Sequence, residues 1–448
     1  MSVETLLERL KQSVEAYHNG IDVNVQPITI AEILSDIRDS DEARYLEELS
    51  TLHDELKAAV LIELPSHLHN EVAEHLGSET MAHLTSELDT DDAAELLRNI
   101  DDDVANEVLQ QLDQEERENL ENLIAYGDAD AGAYMQTELF MAYDDEMVGD
   151  SIKRLKQLKA DKAVDNVYQV YVCSRENHFI GSVPLEDLIL QGPKVLYSEL
   201  LEHGINTVCV LPSDDIHKVV DIAARYDMNV VPVVNERGIL IGRITSDDIY
   251  DIIEERATDQ IYALAGVSEA GEEKESLLQI GRSRALWLGV NLLTAIAASV
   301  VIGLFDTTLQ SLVALAILMP IVASMGGNAG TQTLTVTVRQ MALGDISNED
   351  AKETLYKEVM LSLFNGMIFA LVIGIIAGVW FSMPLLGVVI AMSMVINLVS
   401  AGFFGALIPI VLQRFNIDPA VGSSVLLTTI TDIVGFFTFL GLAKIILL

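Results

Sequence analysis

Residues 423–443 read SSVLLTTITDIVGFFTFLGLA, and Asp432 at the middle of this stretch is the one charged side chain between Asp418 and Lys444. A run this apolar is long enough to cross a bilayer, which takes about 20 residues. A charge at the bilayer centre costs about 2.5–3.5 kcal/mol on insertion scales, so an acid there faces a partner, a cavity or an ion path. On a helix, Ser424, Thr428, Asp432 and Gly435 fall one turn apart along one face, a stripe of oxygens ending in a carboxylate. Oxygen ligands, negative charge and room for water are what a hard cation takes. One carboxylate offsets half of a divalent ion. A two-fold axis along the pathway would bring two copies of Asp432 together, and a symmetric dimer is the commonest oligomer. The plainer alternative is a protonated Asp432, or one capped by Thr428 and Thr429 for helix packing.

Working outward, four more apolar runs precede this one, giving spans at 285–305, 311–338, 356–381, 384–412 and 420–447. Five spans place the two ends of the membrane part on opposite sides. Arg282, Arg284, Arg339, Lys352, Lys357 and Arg414 fall on one side against Lys444 on the other, so the positive-inside rule puts the N-terminal part in the cytoplasm and the C-terminus outside. The second span contains Pro320, Gly326, Gly327 and Gly330 around Asn328, a combination predicted to loosen the helix and expose backbone carbonyls. Irregular backbone at that depth is tolerated only inside protein or along a water-filled cavity. Asn328 is therefore placed with Ser424 and Thr428 as pore-lining. The steps Gly374-x-x-x-Gly378 and Ala401-x-x-x-Gly405 read as close helix packing.

The remainder of the chain has the opposite character. Residues 1–281 hold 60 acids and 20 bases, net −40, whereas residues 282–448 hold 8 acids and 7 bases, net −1, which reconciles a pI near 4.3 with a positive mean hydropathy of +0.32. The opening MSVETLLERLKQ lacks the apolar core of a signal peptide. Residues up to 124 read as short helices with apolar residues at three- and four-residue spacing, one helix-turn unit used repeatedly, which predicts a small all-α superhelix. Ser78 and Thr90 or Asp91 are predicted caps. His67, His69, His75 and His83 read as helix-face residues, since no cysteine or paired second motif accompanies them. Cys173 and Cys209, flanked by valines, read as buried reduced thiols.

After 125 the pattern alternates strand and helix, and it repeats. VYQVYVCSRENHFIGSVPLEDLI (167–189) and MNVVPVVNERGILIGRITSDDIY (228–250) each give strand, polar turn, strand with a glycine (Gly181, Gly242) and an acid opening a helix (Asp187, Asp248). This duplication resembles tandem CBS repeats, whose Gly-x-x-Thr/Ser-x-x-Asp element stands here as Gly242, Thr245 and Asp248. The resemblance implies an adenine nucleotide as a ligand, with Thr245 and Asp248 on its ribose; the first copy has Pro184 at the Thr position. Next comes an acidic helix in which Asp248, Asp251, Glu255 and Asp259 recur at three- and four-residue steps, a solvated face or one bridged by a cation.

GGNAGTQ (326–332), DPAV (418–421), TTITD (428–432) and AGAYM (131–135) after Tyr126, set in this arrangement, resemble the MgtE-type magnesium transporters. The resemblance covers nearly the full chain. It implies a multidomain fold: an acidic all-α superhelical N domain (1–124), an α/β tandem CBS domain (125–245), a connecting plug helix and linker (246–281), and a polytopic α-helical membrane domain with five transmembrane helices (282–448). It implies a channel-like homodimer in the bacterial inner membrane that passes Mg2+ and is closed by cytoplasmic Mg2+. The acid matching the pore site is Asp432, and Asp418 lies near the cytoplasmic mouth. Regulatory magnesium is assigned to Asp91, Glu95, Asp227, Asp248, Asp251 and Asp259. Partners are then Mg2+ as substrate and regulator, the lipid membrane, a second copy of the chain and ATP, with no nucleic acid. Two departures stand out: Ser424-Val425 replaces the family's Asn-Pro or Gly-Pro step, and Asp259-Gln260 replaces an acid pair. Competing readings are a proton-coupled carrier of another divalent ion such as cobalt, with Asp432 as its proton-linked site, and a membrane-anchored sensor through which nothing passes. An enzyme is not expected, because GGNAGTQ lacks the lysine of a phosphate-binding loop and no Ser/His/Asp or Cys/His grouping has a suggestive spacing.

Overall fold

Short amphipathic segments punctuated by acidic residues build the N-terminal part: α1 (Val3–Asn19), α2 (Pro27–Arg38), α3 (Glu42–Thr51), α4 (Asp54–Ile62), α5 (His69–Leu76), α6 (Ser78–Ser86), α7 (Thr90–Arg98), α8 (Asp102–Gln111) and α9 (Gln114–Ile124). The computed structural model describes residues 2–19, 25–160, 164, 166–201, 206–265, 267, 277–342, 351–415 and 417–448. These divide into two compact units, Met1–Glu254 and Glu255–Leu448.

In the first unit each helix buries one stripe, as the three- and four-residue spacing requires. Helix α2 buries Ile30, Ile33, Leu34 and Ile37, and α7 buries Ala93, Ala94, Leu96 and Leu97. The caps differ from expectation. Asp41 and Asp113 accept the backbone N–H groups of Arg44 and Glu116 at 3.1 and 2.9 Å. Ser78 is itself the first helical residue behind Gly77, whose φ is +78°. The Thr90 hydroxyl donates to Glu138 Oε2 at 2.9 Å, and Asp91 Oδ1 accepts from the adjacent Asp92 N–H at 3.0 Å. Both candidates are drawn off by other partners. His69 is buried with Nε2 3.0 Å from the Leu64 carbonyl, and among the described residues no group of three or more His, Cys, Asp or Glu is assembled at metal-holding distance.

The duplicated region folds as two strand–turn–strand units. Strand β1 (Met141–Tyr143) runs parallel to β2 (Gln169–Cys173), which pairs antiparallel with β3 (Phe179–Pro184), with Val172 opposite Gly181. Strands β4 (Val231–Val234) and β5 (Leu240–Ile244) pair antiparallel with Val233 opposite Gly242, the matching register of the second copy. Their turns meet: Phe179 N–H donates to the Gly238 carbonyl at 2.9 Å and Leu240 N–H to the Asn177 carbonyl at 3.2 Å. Around them lie α10 (Val148–Ala160), α11 (Leu185–Ile189), α12 (Tyr197–Leu201), α13 (Ile216–Tyr226) and α14 (Ser246–Ala265). One core runs from Leu6 and Leu34 through Leu97 and Leu123 to Val219, Val233, Ile244 and Ile252, so the helical region and the second copy share an interior. The first copy packs separately around Phe140, Val172 and Tyr197. The AGAYM stretch ties the helical region to the second copy. A Cβ on Gly132 would lie 2.6 Å from the Tyr126 ring, and its N–H donates to the Pro212 carbonyl at 2.8 Å. Cys173 is buried and Cys209 half-buried, both free thiols, and burial pushes Cys173 up to about 11.

The second unit is helical: α15 (Leu277–Gly303), the short α16 (Asp306–Ser311), α17 (Val313–Ala342), α18 (Ala351–Trp380), α19 (Pro384–Arg414) and α20 (Ser423–Ile446). Five stretches are long and apolar enough to cross a membrane, Arg284–Gly303 and the whole of α17, α18, α19 and α20. They coincide with the five spans read from the sequence. Helix α19 lies at the centre, packed against α17, α18 and α20, while α15 leans chiefly on α20. The Gly374 step is close packing as expected, since a Cβ there would lie 3.0 Å from the Gly387 carbonyl. One expectation is overturned: α17 is continuous through Pro320, Gly326, Gly327 and Gly330. Its glycines admit neighbours instead of breaking the helix, with Gly326 against Asn397 and Gly330 against Leu427.

Candidate functional site

The membrane site begins at Gly422, whose φ of +68° turns the chain into α20. From there Ser424, Thr428 and Asp432 ascend one face, all three half-buried. The Thr428 hydroxyl donates back to the Ser424 carbonyl at 3.0 Å, the bond that hydroxyls on apolar helices make when no other acceptor is present. Asp432 has neither a hydrogen-bond donor nor an ion-pair partner among the described residues, so capping by Thr428 or Thr429 is not what holds it; both hydroxyls donate to backbone carbonyls. Asn328 is exposed on α17, its Nδ2 donating to Ser324 Oγ at 3.4 Å. It belongs to a larger pattern. Ser324, Asn328, Thr331 and Thr335 recur at steps of four, three and four and are all exposed, a polar stripe on the surface of a membrane-length helix.

Just ahead of the N-terminus of α20, Asp418 is exposed, with Oδ1 accepting the Ala420 N–H at 2.8 Å. Ser424 has an unforeseen partner: its Oγ donates to the carbonyl of Leu264 in the last turn of α14 at 2.8 Å. Ala263 and Leu264 pack there against a cluster of Leu334, Val338, Ala420 and Leu427. Asp259, on the same helix, is exposed.

The acids of the first unit collect elsewhere. Asp91, Asp92 and Asp248 are half-buried where the start of α7 meets the start of α14. Burial, then the charge of Asp248, pushes Asp91 well above the carboxylate range. Burial, then Asp89, Glu95, Asp247 and Glu63, pushes Asp92 up to about 7. Burial, then Asp247 and Asp92, pushes Asp248 up to about 8 against the opposing hydrogen bond from the Thr245 hydroxyl at 3.2 Å. Asp251 is raised by burial and then by Asp247, Glu95 and Glu254. Among the described residues no basic side chain stands among the causes of these shifts, so these acids are gathered without a counter-charge there. Asp227 is not brought to this cluster; it is exposed at the C-terminus of α13 with φ +51°, where its N–H caps the Ala223 carbonyl.

Sequence reasoning missed Asp92, Asp247 and Glu63 here, and in the membrane unit it missed Glu358 and Asn397. Glu358 is 7% exposed on α18 and accepts the Thr333 hydroxyl at 3.2 Å. Asn397 is fully buried on α19 and donates to the Val322 carbonyl at 2.9 Å.

Five membrane-length helices, one of them carrying an acid without a partner among the described residues, together with a separate helical and CBS-type unit, define a multi-pass α-helical membrane protein. Three known families match it in order: the MgtE intracellular N domain at residues 25–129, the CBS domain at 203–255 and the divalent cation transporter MgtE at 319–442. A magnesium transporter MgtE of Thermus thermophilus is 30% identical over 438 residues, 92% of this chain and 95% of that one. One of Enterococcus faecalis is 32% identical over 330 residues, covering 74% and 72%. Among solved structures, the soluble part of a magnesium transporter is 26% identical, with a TM-score of 0.49 over 57% of this chain and 98% of that one. The chain belongs to the MgtE family of divalent cation transporters.

Proposed function

We propose that this protein carries Mg2+ selectively through a channel-like homodimer in the bacterial inner membrane, and that cytoplasmic Mg2+ bound at the acidic surfaces closes it. The observation that carries the reading is Asp432, a half-buried carboxylate without a partner among the described residues, in an apolar membrane-length helix. A hydrated divalent cation offsets the cost of such a charge, and a second Asp432 across a two-fold axis completes its neutralisation. The exposed stripe of Ser324, Asn328, Thr331 and Thr335 supports the same assembly, because hydroxyls and amides at membrane depth belong against a partner or an aqueous path. Ser424, Thr428 and Asn328 would line that path, and Asp418 would stand at its cytoplasmic mouth. The basic residues Arg282, Arg284, Arg339, Lys352, Lys357 and Arg414 orient the N-terminal part to the cytoplasm and the C-terminus outside.

The regulatory half of the proposal rests on the cluster of acids without a counter-charge. Mg2+ takes carboxylate and water oxygens, and Asp91, Asp92, Glu95, Asp248 and Asp251 supply the former. An ion held among these gathered acids would favour the state in which α7 and α14 meet over one in which they separate. Helix α14 would transmit this to the mouth, its last turn being bonded to Ser424 and Asp259 lying on its final stretch. Asp227 serves as a peripheral ligand in this scheme. An adenine nucleotide on Thr245 and Asp248 would share a carboxylate with the cluster, which couples nucleotide to cation occupancy. In this reading the helical N domain spans 1–124, the CBS pair 125–245, the connecting helix and linker 246–281 and the membrane domain 282–448.

Flux into liposomes tests it, with Mg2+, Co2+, Mn2+ and Ca2+ offered in turn at fixed voltage. Mg2+ uptake that persists without a pH gradient supports the channel. Uptake that collapses with the pH gradient points to proton coupling, and no uptake of any ion would refute transport.

A further inference from the structure

Asn397 has no counterpart in the mechanism above, yet three helices converge on it. It is fully buried at the middle of α19, whose composition is otherwise strongly apolar. Its Nδ2 donates to the Val322 carbonyl on α17 at 2.9 Å, while its Oδ1 is buried with no partner among the described residues. Two glycines make room for the amide. A Cβ at Gly326, in GGNAGTQ, would collide with Asn397 Nδ2 and lie 2.9 Å from its Cγ, and a Cβ at Gly435 on α20 would lie 2.8 Å from Nδ2. One turn before Asn397, Ser393 Oγ is 3.3 Å from Thr438 Oγ1 on α20, so the same face of α19 contacts α20 twice. Gly435 stands three residues after Asp432, and Gly326 two residues before Asn328. The amide is thus wedged between the helix bearing the carboxylate and the helix bearing the exposed polar stripe.

A leucine would fill this volume without leaving a buried carbonyl oxygen unpaired, which makes the amide a poor choice for packing alone. Its oxygen is buried without a donor among the described residues, so hydrogen bonding alone does not account for an amide at this position. We propose that Asn397 is a positioning residue for ion passage, a spacer that sets the separation of α17 and α20 at the level of Asp432 and so determines which divalent ions the carboxylate accepts. The inference deepens the transport reading and rests on it.

The test is a double-mutant cycle in the purified full-length protein, reading liposome uptake of Mg2+ and of the larger Ca2+ together with melting temperature. Gly326→Ala should push α17 away from α19 and lower the Mg2+ over Ca2+ uptake ratio about tenfold, and Asn397→Ala added to it should recover most of that ratio, since contacting residues couple. Gly435→Ala should behave the same way with Asn397→Ala. Asn397→Leu, which keeps the bulk without the amide, should fold and shift the ratio. Recovery of melting temperature with an unchanged ion ratio in every variant would make Asn397 a packing residue and overturn the proposal. A double variant no better than Gly326→Ala in both readouts would also overturn it. Absence of divalent flux in the unaltered protein would instead refute transport itself, before any variant is compared.

Discussion

Protons should substitute for magnesium at the acid cluster of the first unit. Asp92 and Asp248 have carboxyls pushed up to about 7 and about 8, above all by burial, and then by Asp89, Glu95, Asp247 and Glu63 on Asp92 and by Asp247 and Asp92 on Asp248. The converged arrangement therefore binds protons that solvated, separated carboxylates release near pH 4. The consequence has a definite sign: with raised values, convergence weakens as pH rises through about 7 and 8 and strengthens as pH falls. Between pH 8 and pH 6, linkage gives about tenfold through Asp92 and about fiftyfold through Asp248, together several hundredfold in the converged population, or about 4 kcal/mol. Spin labels at exposed Glu87 and Tyr250 would report it as a distance distribution. In Mg2+-free buffer the distribution should be broad at pH 8 and narrow at pH 6, and Mg2+ at pH 8 should narrow it as acid does. Asp92→Asn with Asp248→Asn should be narrow at both pH values. A pH response that survives this double substitution, or none in the unaltered protein, would refute the reasoning.

Three further outcomes follow from other parts of the molecule. Deleting residues 1–124 removes Asp91, Asp92 and Glu95, so channel closure measured by patch recording should shift to higher cytoplasmic Mg2+, and an unaltered closure curve would dissociate the acids from regulation. Glu358→Gln keeps a hydrogen-bonding partner for Thr333 and should leave melting temperature near that of the unaltered protein, whereas Glu358→Leu strands that buried hydroxyl and should destabilise by about 1–3 kcal/mol in thermal unfolding. Gly132→Ala forces the Tyr126 ring to move and should cost about 1–3 kcal/mol by denaturant titration, relieved by Tyr126→Ala.

Asp432 was legible in the sequence because a single charge in a long apolar run has few explanations, and the five spans were legible because membrane length is set by the solvent. The duplication was legible because strand period, turn and glycine recur together, and the structure pairs Val172 with Gly181 as it pairs Val233 with Gly242. The continuity of α17 was not. Glycine, asparagine and proline read as breakers from local propensity, but inside a helix bundle a glycine also serves as a place where another helix's side chain enters, and only tertiary contact tells the two apart. Glu358 lies at the edge of its predicted span and passes for an interfacial charge until burial is known. Asp92 and Asp247 gain their significance from the meeting of two helices more than 150 residues apart in sequence, which helix periodicity within either one does not reveal.

The most direct test of the central claim is Mg2+ flux through the Asp432→Asn protein, purified, confirmed as the same oligomer as the unaltered protein and reconstituted in liposomes. The substitution keeps the shape and removes the charge that the cation would neutralise. The account predicts that flux is lost while melting temperature and oligomeric state are retained. Normal Mg2+ uptake by the folded Asp432→Asn protein would contradict it and leave Asp432 as a packing residue.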